Sequence, residues 1–215
     1  MFPMTIRSAR RRGGFTLLEV LLGLAVFGGI LALGVPQMTL WLLANKSRAA
    51  GEFYAEGFKL ARQQALAHNA ASRIVLTQNA GNGQMDWQID LCFPTPLLPC
   101  NSASGNWSSP SAAASNDPEG ASGFASVLRV AGSLPQADVL APTLSPSGSS
   151  AIYFTALGWV DTGFEERLTR LQLDPTPAYA GQLHATALVV SLAGTSTMCD
   201  PDPRLSATDS RACPP

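Results

Sequence analysis

A long apolar run near the start of the chain constrains the fold more than any other feature. Between Phe15 and Val35, 21 residues contain a single charged side chain, that of Glu19. A helix of this length, at about 1.5 Å per residue, matches the roughly 30 Å hydrocarbon core of a bilayer. The whole chain of 215 residues is only 13% charged, against about 25% in ordinary globular proteins. We therefore predict one membrane-spanning helix, followed by about 180 residues, enough for a single domain.

Basic residues precede the apolar run and predict its orientation. They are Arg7, Arg10, Arg11 and Arg12. Positive charge stays on the cytoplasmic side, so the rest of the chain is expected to cross the membrane. A cleaved secretory signal has a shorter apolar region and ends in small residues, whereas this run ends in Leu33-Gly34-Val35-Pro36. A plain membrane anchor is the alternative, but it leaves the charge of Glu19 without an explanation.

Glu19 is the informative residue of this run. An ionised carboxylate inside an apolar helix costs several kcal/mol unless it is paired. No Lys, Arg or His lies within one helical turn of it, so its partner must come from another chain or from a newly made amine. Cleavage between Gly14 and Phe15 would create such an amine four residues upstream. In an array of parallel helices, one chain's Glu19 would then meet the Phe15 amine of the next.

Residues 11–20 read Arg-Arg-Gly-Gly-Phe-Thr-Leu-Leu-Glu-Val. This segment resembles the processing signature of type IV prepilins and of type II secretion pseudopilins. The resemblance implies that a prepilin peptidase removes a basic leader, residues 1–14, by cutting after Gly14, and then methylates the amine of Phe15. It also implies that Glu19 assists assembly. The protein would be a single-pass protein of the bacterial inner membrane with a periplasmic head, until it enters a pilus or pseudopilus.

A helical pattern resumes after Pro36. Residues that would share one helix face recur at three- and four-residue steps: Phe53, Gly57, Leu60, Ala61 and Gln64. We predict one helix to about His68, bent at Pro36. Residues 15–36 would form its membrane or filament-core part, and residues 37–69 its amphipathic part, with Asn69 as the C-terminal cap. The alternative, an anchor followed by a separate helix, differs only in whether residues 37–40 are helical.

The end of this helix resembles one particular group of pilins and pseudopilins. Residues 58–69, Phe-Lys-Leu-Ala-Arg-Gln-Gln-Ala-Leu-Ala-His-Asn, resemble the helix end of the GspH/FimT group of minor pilins and pseudopilins. That group implies an α+β pilin fold, in which the long N-terminal helix packs on an antiparallel β-sheet head, here residues 70–215.

Strand patterns follow the helix. Residues 72–77 and 85–91 flank a turn rich in Asn and Gly and predict a hairpin. Further strands are expected at residues 125–130, 151–155, 167–173 and 186–192, with connecting turns at 142–148 and 174–181. Residues 93–124, rich in Ser, Ala, Pro, Gly and Asn, predict a long surface loop that exposes Trp107.

The cysteines fall into two pairs that are close in sequence. They are Cys92 with Cys100 and Cys199 with Cys213. Four cysteines allow three connectivities, and pairing of neighbours is the simplest in an oxidising compartment. The alternative, a zinc site, is disfavoured by the wide spacing within each pair and by the distance of His68 and His184. Residues 199–213 also resemble the cysteine-bounded tail of some minor pilins.

The head carries no motif for catalysis. We find no nucleophile motif, no phosphate-binding loop and no paired carboxylates in an apolar context. The two histidines lack clustered acids, so we expect no enzymatic activity, no cofactor and no metal. Asp200, Asp202 and Asp209 would offer oxygen ligands to calcium, but solvated turn residues are the commoner explanation.

Charge argues against nucleic acid as a partner. Without the 14-residue leader, ten basic residues face 15 acidic ones, a net charge of −5. DNA-binding members of the resembled group carry Gly-Arg-x-Arg just before the tail, whereas this chain has Gly194-Thr195-Ser196-Thr197. Both arginines, and the phosphate contacts they would make, are absent.

The predicted function is therefore structural. The chain is expected to be a minor pilin in the tip or priming complex of a type IV pilus. The alternatives are a GspH-like minor pseudopilin of a type II secretion system and a DNA-binding minor pilin for natural transformation. The expected partners are a prepilin peptidase, the inner membrane, and other minor and major pilins or pseudopilins.

Overall fold

The structure is a computed structural model that describes residues 14–101, 107–122, 126–206 and 208–214. It divides into two units, one ending at Trp41 and one beginning at Leu42, which are described separately. The predicted leader up to residue 13, parts of the predicted loop 93–124 and the first residue of the predicted strand at 125 lie outside the described residues.

One helix, α1 (Leu17–His68), continues from the first unit into the second. Residues 37–40 are helical, so the alternative of an anchor followed by a separate helix is wrong. The bend expected at Pro36 stays a prediction.

The helix ends in the cap predicted at Asn69. This residue has a φ of +47°, in the left-handed region that asparagine tolerates. Its N–H donates to the carbonyl of Leu66 at 3.4 Å, and the N–H of Ala70 donates to the carbonyl of Ala65 at 3.1 Å. These two bonds form a Schellman motif, with Ala65 and Ala70 both buried at its base. The chain therefore leaves the helix in a defined direction, directly into the first strand.

In the described residues, eight strands form two four-stranded antiparallel sheets. The strands are β1 (Ala71–Gln78), β2 (Met85–Cys92), β3 (Val127–Arg129), β4 (Leu140–Ser145), β5 (Ala151–Phe154), β6 (Arg170–Pro175), β7 (Thr186–Val190) and β8 (Ser196–Cys199). The first sheet has the order β3-β2-β1-β5, and the second has the order β4-β6-β7-β8. The predicted α+β class, a long helix on antiparallel sheets, is confirmed.

The predicted hairpin is present as β1 and β2. Ile74 lies opposite Ile89 and Leu76 opposite Trp87, and all four side chains are buried. Alternation of buried and less buried residues along β1 gives this register, because a shift by one residue would turn the whole apolar set to the other face.

Two strands were missed by the sequence patterns. The segment containing Pro142 was predicted as a turn, but it forms β4, and β8 was not predicted at all. Both are edge strands of the second sheet. An edge strand uses only one side of its backbone for pairing and so accepts a proline, and β8 is too short and polar to show an apolar alternation.

One face of α1 packs against both sheets and forms the main core of the second unit. Its buried side chains are Ala50, Tyr54, Phe58, Ala61 and Ala65. They meet Ile74 and Trp87 of the first sheet and Leu171 and Leu188 of the second. The helix therefore serves as the common wall of two sheets.

The buried stripe of α1 differs from the one that the spacing predicts. Phe53, Leu60 and Gln64 are only partly buried, whereas Gly57 and Ala61 are buried as expected. The buried stripe is rotated toward Tyr54 and Phe58, which belong to the core that residues of both sheets share.

A buried hydrogen-bond network joins α1 to both sheets. The Tyr54 hydroxyl donates to Gln84 Oε1 at 3.2 Å and accepts from the Met85 N–H at 2.9 Å. Gln84 is fully buried, and its Nε2 donates to the Leu140 carbonyl at 2.6 Å. Burial raises the pKa of Tyr54 to about 12, opposed by the bond from Met85 and supported by the nearby carboxylate of Asp86.

We expect Tyr54→Phe to lower the free energy of unfolding by about 1–3 kcal/mol at neutral pH, because it leaves buried partners unsatisfied. The raised pKa means that the neutral phenol stabilises the fold fully below pH 10, and that this stabilisation is lost as the pH rises toward 12. A two-unit shift is worth about 3 kcal/mol. The free energies of unfolding of wild type and variant, measured by denaturant, should therefore converge as the pH rises from 10 to 12. A Tyr54→Phe offset that does not change with pH would contradict this account.

Candidate assembly site and head surface

The start of α1 is capped by the residues of the predicted processing segment. Thr16 precedes the helix, and its Oγ1 accepts a hydrogen bond from the N–H of Glu19 at 3.2 Å. Threonine followed three residues later by glutamate is the capping-box pattern. Glu19 thus lies in the first helical turn, where a negative charge is favoured by the helix dipole. The sequence analysis did not predict this helix cap, although the spacing Thr16-x-x-Glu19 indicates it.

The predicted cleavage point lies outside the helix. Gly14 and Phe15 are not helical and are exposed, with 82% of Phe15 accessible. The apolar side chains that follow are exposed as well, and the most apolar 18-residue window of α1 is 0% buried. By length and composition, α1 is long and apolar enough to cross a membrane. In the described residues, the first unit therefore presents a short non-helical segment followed by an uncovered apolar helix.

In the structure, each cysteine forms a disulfide with the cysteine nearest to it in the sequence. Cys92 and Cys100 form one disulfide, with an S–S distance of 2.04 Å, and Cys199 and Cys213 form the other, at 2.09 Å. No group of His, Cys, Asp or Glu in the described part of the chain is arranged to hold a metal ion.

The loop after β2 folds back on the outer face of the first sheet. Trp107, predicted to be exposed, is only 5% exposed, so that expectation was wrong. Its Nε1 donates to the carbonyl of Asn101 at 2.7 Å, and its ring lies 6.0 Å from that of Tyr153. Ser108 exchanges backbone hydrogen bonds with Leu91 at the edge of β2. The aromatic side chain of Tyr153 lies on this face of the sheet, and the loop covers it.

A buried ion pair lies beneath this loop. Arg73 Nε contacts Asp90 Oδ2 at 2.9 Å, and Asp90 is fully buried. Asp90 Oδ1 accepts further hydrogen bonds from Gln88 Nε2 at 2.7 Å and from Ser126 Oγ at 2.9 Å. The Arg73 guanidinium lies 4.6 Å from the Trp107 ring centre. The pair therefore links the sheet to the loop, with the carboxylate satisfied on both oxygens.

Gly194-Thr195-Ser196-Thr197, which replace the DNA-binding motif, lie at the end of the β7–β8 turn and the start of β8. Thr195 lines a groove of about 560 Å³ against α1, with its Oγ1 2.7 Å from Ser191 Oγ. The charged residues of this groove are Glu52, Glu56, Lys59 and Arg62. Two acids and two bases leave no excess positive charge for a phosphate backbone.

The aspartates of the tail bind backbone groups. Asp200 Oδ1 accepts from the Asp202 N–H at 3.0 Å, and Asp202 Oδ1 accepts from the Arg204 N–H at 2.9 Å. A hydrogen bond from the Arg211 guanidinium holds the pKa of Asp209 at about 2, and that carboxylate raises the pKa of Arg211. These side chains shape the turns of the tail.

The family model of the type II transport protein GspH matches residues 50–201. This match covers more than half of the chain. The protein belongs to the GspH family. The matched region begins within α1 and ends just after β8, so it contains all eight described strands and the helix face on which they pack. The apolar first unit and most of the tail lie outside the match.

Two crystal structures of the type IV minor pilin FimU from Pseudomonas aeruginosa are similar to this GspH-family protein. One has 14% sequence identity and a TM-score of 0.37, and the match covers 70% of this chain and 90% of that chain. The other has 16% identity and a TM-score of 0.41, and covers 72% and 88%. No curated protein sequence matches the chain significantly.

Two glycines bring the turns of the head together at the side of α1. Gly194 has a φ of +77°, and a Cβ built there would overlap the carbonyl oxygen of Gly158. That same carbonyl accepts a hydrogen bond from Arg62 Nε at 3.0 Å. The β7–β8 turn therefore depends on a residue without a side chain at position 194.

We expect Gly194→Ala to lower the free energy of unfolding by about 2 kcal/mol or more beyond the cost of the left-handed backbone alone. Gly181→Ala is the matched control, because Gly181 has a φ of +79° but open space around its Cβ position. Urea unfolding of the two variants measures the difference. Equal destabilisation would show that the contact with Gly158 has no energetic weight.

Proposed function

We propose that this protein is a structural minor pilin of a type IV pilus, acting in its tip or priming complex. A minor pseudopilin of a type II secretion system is the second candidate. The observation that carries the proposal is the direct continuity of α1, which runs from a capped, exposed apolar segment into the GspH-family head. Such a chain is anchored by its helix and presents its head for contacts with other subunits.

The two candidates rest on different observations. The cysteine-bounded tail, closed here by the Cys199–Cys213 bond, favours the pilus. The description of the family as a type II transport protein favours the pseudopilus. DNA uptake is not part of the proposal, because the groove beside Thr195 carries balanced charges and arginines are missing from positions 195 and 197.

Processing is the first step of the proposed function. A prepilin peptidase in the inner membrane would cut between Gly14 and Phe15 and methylate the new amine of Phe15. The exposed, non-helical geometry of these two residues supports this step, because it leaves the bond between them accessible to an enzyme. The Thr16 cap lies just beyond the cut and keeps α1 intact up to the new terminus.

Assembly is the second step. Apolar helices of neighbouring subunits would bundle as they leave the bilayer, and the carboxylate of Glu19 would neutralise the Phe15 amine of the next subunit. A paired charge of this kind costs less in an apolar bundle than an isolated one, and it sets the axial register between chains. The periplasmic head then contacts other minor and major subunits sideways.

We expect Gly14→Leu to block processing, because a large side chain before the cut would not fit the peptidase. Gly23→Leu is the control. Neither position has an atom within 4 Å of its Cβ position, so neither change has a steric cost inside the chain itself. Immunoblots of the host envelope should show the unprocessed form only for Gly14→Leu. Mature protein of normal size in that variant would count against peptidase recognition.

We expect Glu19→Gln to be processed normally but incorporated poorly, because the amide cannot neutralise the neighbour's amine. Thr16→Ala removes the hydroxyl that caps the Glu19 N–H and keeps the carboxylate, so it should assemble close to normally. Sheared surface filaments, probed for each variant, measure incorporation. Wild-type protein in pili supports the first candidate, and retention with secretion components supports the second. Normal incorporation of Glu19→Gln would refute the charge-pairing step in either machine.

A further inference from the structure

The outer edge of β8 carries backbone groups that point away from its own sheet. β8 is the last strand of the second sheet and pairs with β7, with Val190 opposite Ser196 and Leu188 opposite Met198. The N–H of Val190 donates to the carbonyl of Thr169 at 3.0 Å, on the far side of β7. Val190 and Ser196 are therefore a pair without mutual hydrogen bonds, and alternation along the ladder makes the next such pair Leu188 and Met198. The N–H and C=O groups of Ser196 and Met198 thus point to the outer edge.

The chain itself already pairs with this edge just beyond β8. The N–H of Asp200 donates to the carbonyl of Arg211 at 2.7 Å, and Asp200 forms a parallel bridge with Ala212. Asp200 is two residues after Met198, so its N–H lies on the same edge. No described residue forms a hydrogen bond with the outward backbone groups of Ser196 and Met198. The edge is therefore able to pair, and two of its positions are left open.

This open edge borders the groove of about 560 Å³ beside α1. Ser196 and Met198 line the groove on the sheet side, and α1 forms the other wall. The helix approaches β8 at two points: a Cβ built at Gly51 would lie 3.4 Å from Met198 Cε, and one built at Gly194 would lie 3.2 Å from Arg62 Cδ. α1 therefore runs antiparallel to β8. Residues 52–62 rise by about 15 Å, close to the roughly 17 Å that five extended residues span.

Two of the four charged side chains of the helix wall already have partners. Glu56 pairs with Arg129 at 2.7 Å, and Arg62 Nε donates to the carbonyl of Gly158 at 3.0 Å. Glu52 and Lys59 are exposed and form no ion pair with a described residue. These two are the charges of the groove that remain for a ligand.

The two remaining charges give the groove a direction. Glu52 lies toward the Met198 end, and Lys59 lies toward the Gly194 end, with the half-buried Ala55 between them. A strand antiparallel to β8 runs in the same direction as α1, so it meets the acid first and the base last. Side chains at alternate positions of that strand face the helix. The complementary order along this face is basic, apolar, acidic.

We propose that an extended segment of a partner polypeptide adds to the outer edge of β8 as an antiparallel fifth strand of the second sheet. Its backbone pairs with Ser196 and Met198. Its alternate side chains place a base near Glu52, an apolar group at Ala55 and an acid near Lys59. In this mode of recognition main-chain hydrogen bonds give affinity and the alternate side chains give specificity. The site does not depend on the machine in which the protein works, so its failure would leave the proposed processing and assembly steps unaffected.

The test uses the full chain in a neutral detergent and the peptide acetyl-Lys-Thr-Val-Thr-Glu-amide. Isothermal titration to about 10 mM peptide detects a site with a Kd near 1 mM, and we expect saturable binding. N-methylation of the valine removes an N–H that points to β8 and should weaken binding about tenfold. N-methylation of the second threonine is the matched control, because that N–H points to solvent, and it should leave the affinity unchanged.

Variants of the chain test the same two features. Ser196→Pro removes the outward N–H at no cost to the ladder with β7, and it should weaken binding about tenfold or more. Glu52→Lys should weaken the binding of the lysine-first peptide and favour a peptide with glutamate at both ends. Glu165→Lys, an exposed residue outside the groove, should leave the affinity unchanged. Thermal unfolding of each variant establishes that it is folded before its binding is compared.

The outcomes separate strand addition from simple charge attraction. Equal affinities of the two N-methylated peptides would overturn the backbone pairing. Equal binding of the reversed peptide acetyl-Glu-Thr-Val-Thr-Lys-amide would overturn the antiparallel direction. Absence of saturable binding to the wild-type chain, or an equal loss in the Glu165→Lys control, would overturn the site itself.

Discussion

The packing of one face of α1 against two sheets is the contact on which the rest of the head depends. Gly57 makes this approach possible, because a Cβ there would lie 2.9 Å from Ile74 and 3.0 Å from the ring of Trp87. Polar bonds fix the position along the helix: Ser72 Oγ donates to the Ala61 carbonyl at 2.7 Å, and the Tyr54 hydroxyl reaches the turn of the hairpin. Small residues allow close packing, and the hydrogen bonds make it specific.

This arrangement leaves the outer face of the first sheet to be covered by a loop. The Cys92–Cys100 bond, the Trp107 ring and the Arg73–Asp90 pair hold that loop on the sheet. The cover is incomplete beside Tyr153, where a cavity of about 690 Å³ lies. The groove beside α1 is a separate surface with balanced charge.

The GspH-family head and the apolar segment divide the chain between two tasks. The apolar part of α1 is exposed in the described chain and has no covering side chains of its own. Exposed apolar surface of this kind is stabilised wherever it is removed from water. The head has a core of its own and presents loops and grooves outward.

Local patterns were sufficient to predict much of this protein. The apolar run, the continuous helix, the Asn69 cap and the β1–β2 hairpin follow from period, length and single residue types, all of which act between near neighbours in the chain. The processing segment around Gly14, Phe15 and Glu19 is also a purely local pattern, and its role stays a prediction.

Only the tertiary structure decided the remaining features, since they depend on residues far apart in sequence. The edge strand β4 contains a proline that local rules assign to a turn, and it pairs with a strand some thirty residues later. Trp107 lies in a segment of loop composition and is buried because its ring packs near Arg73 and Tyr153, which are distant in sequence. The cavity beside Tyr153 joins three separate parts of the chain, residues 100–101, 148–153 and 161–166. Sequence determines local conformation through near-neighbour forces, but burial and shared charge depend on which distant surfaces the fold brings together.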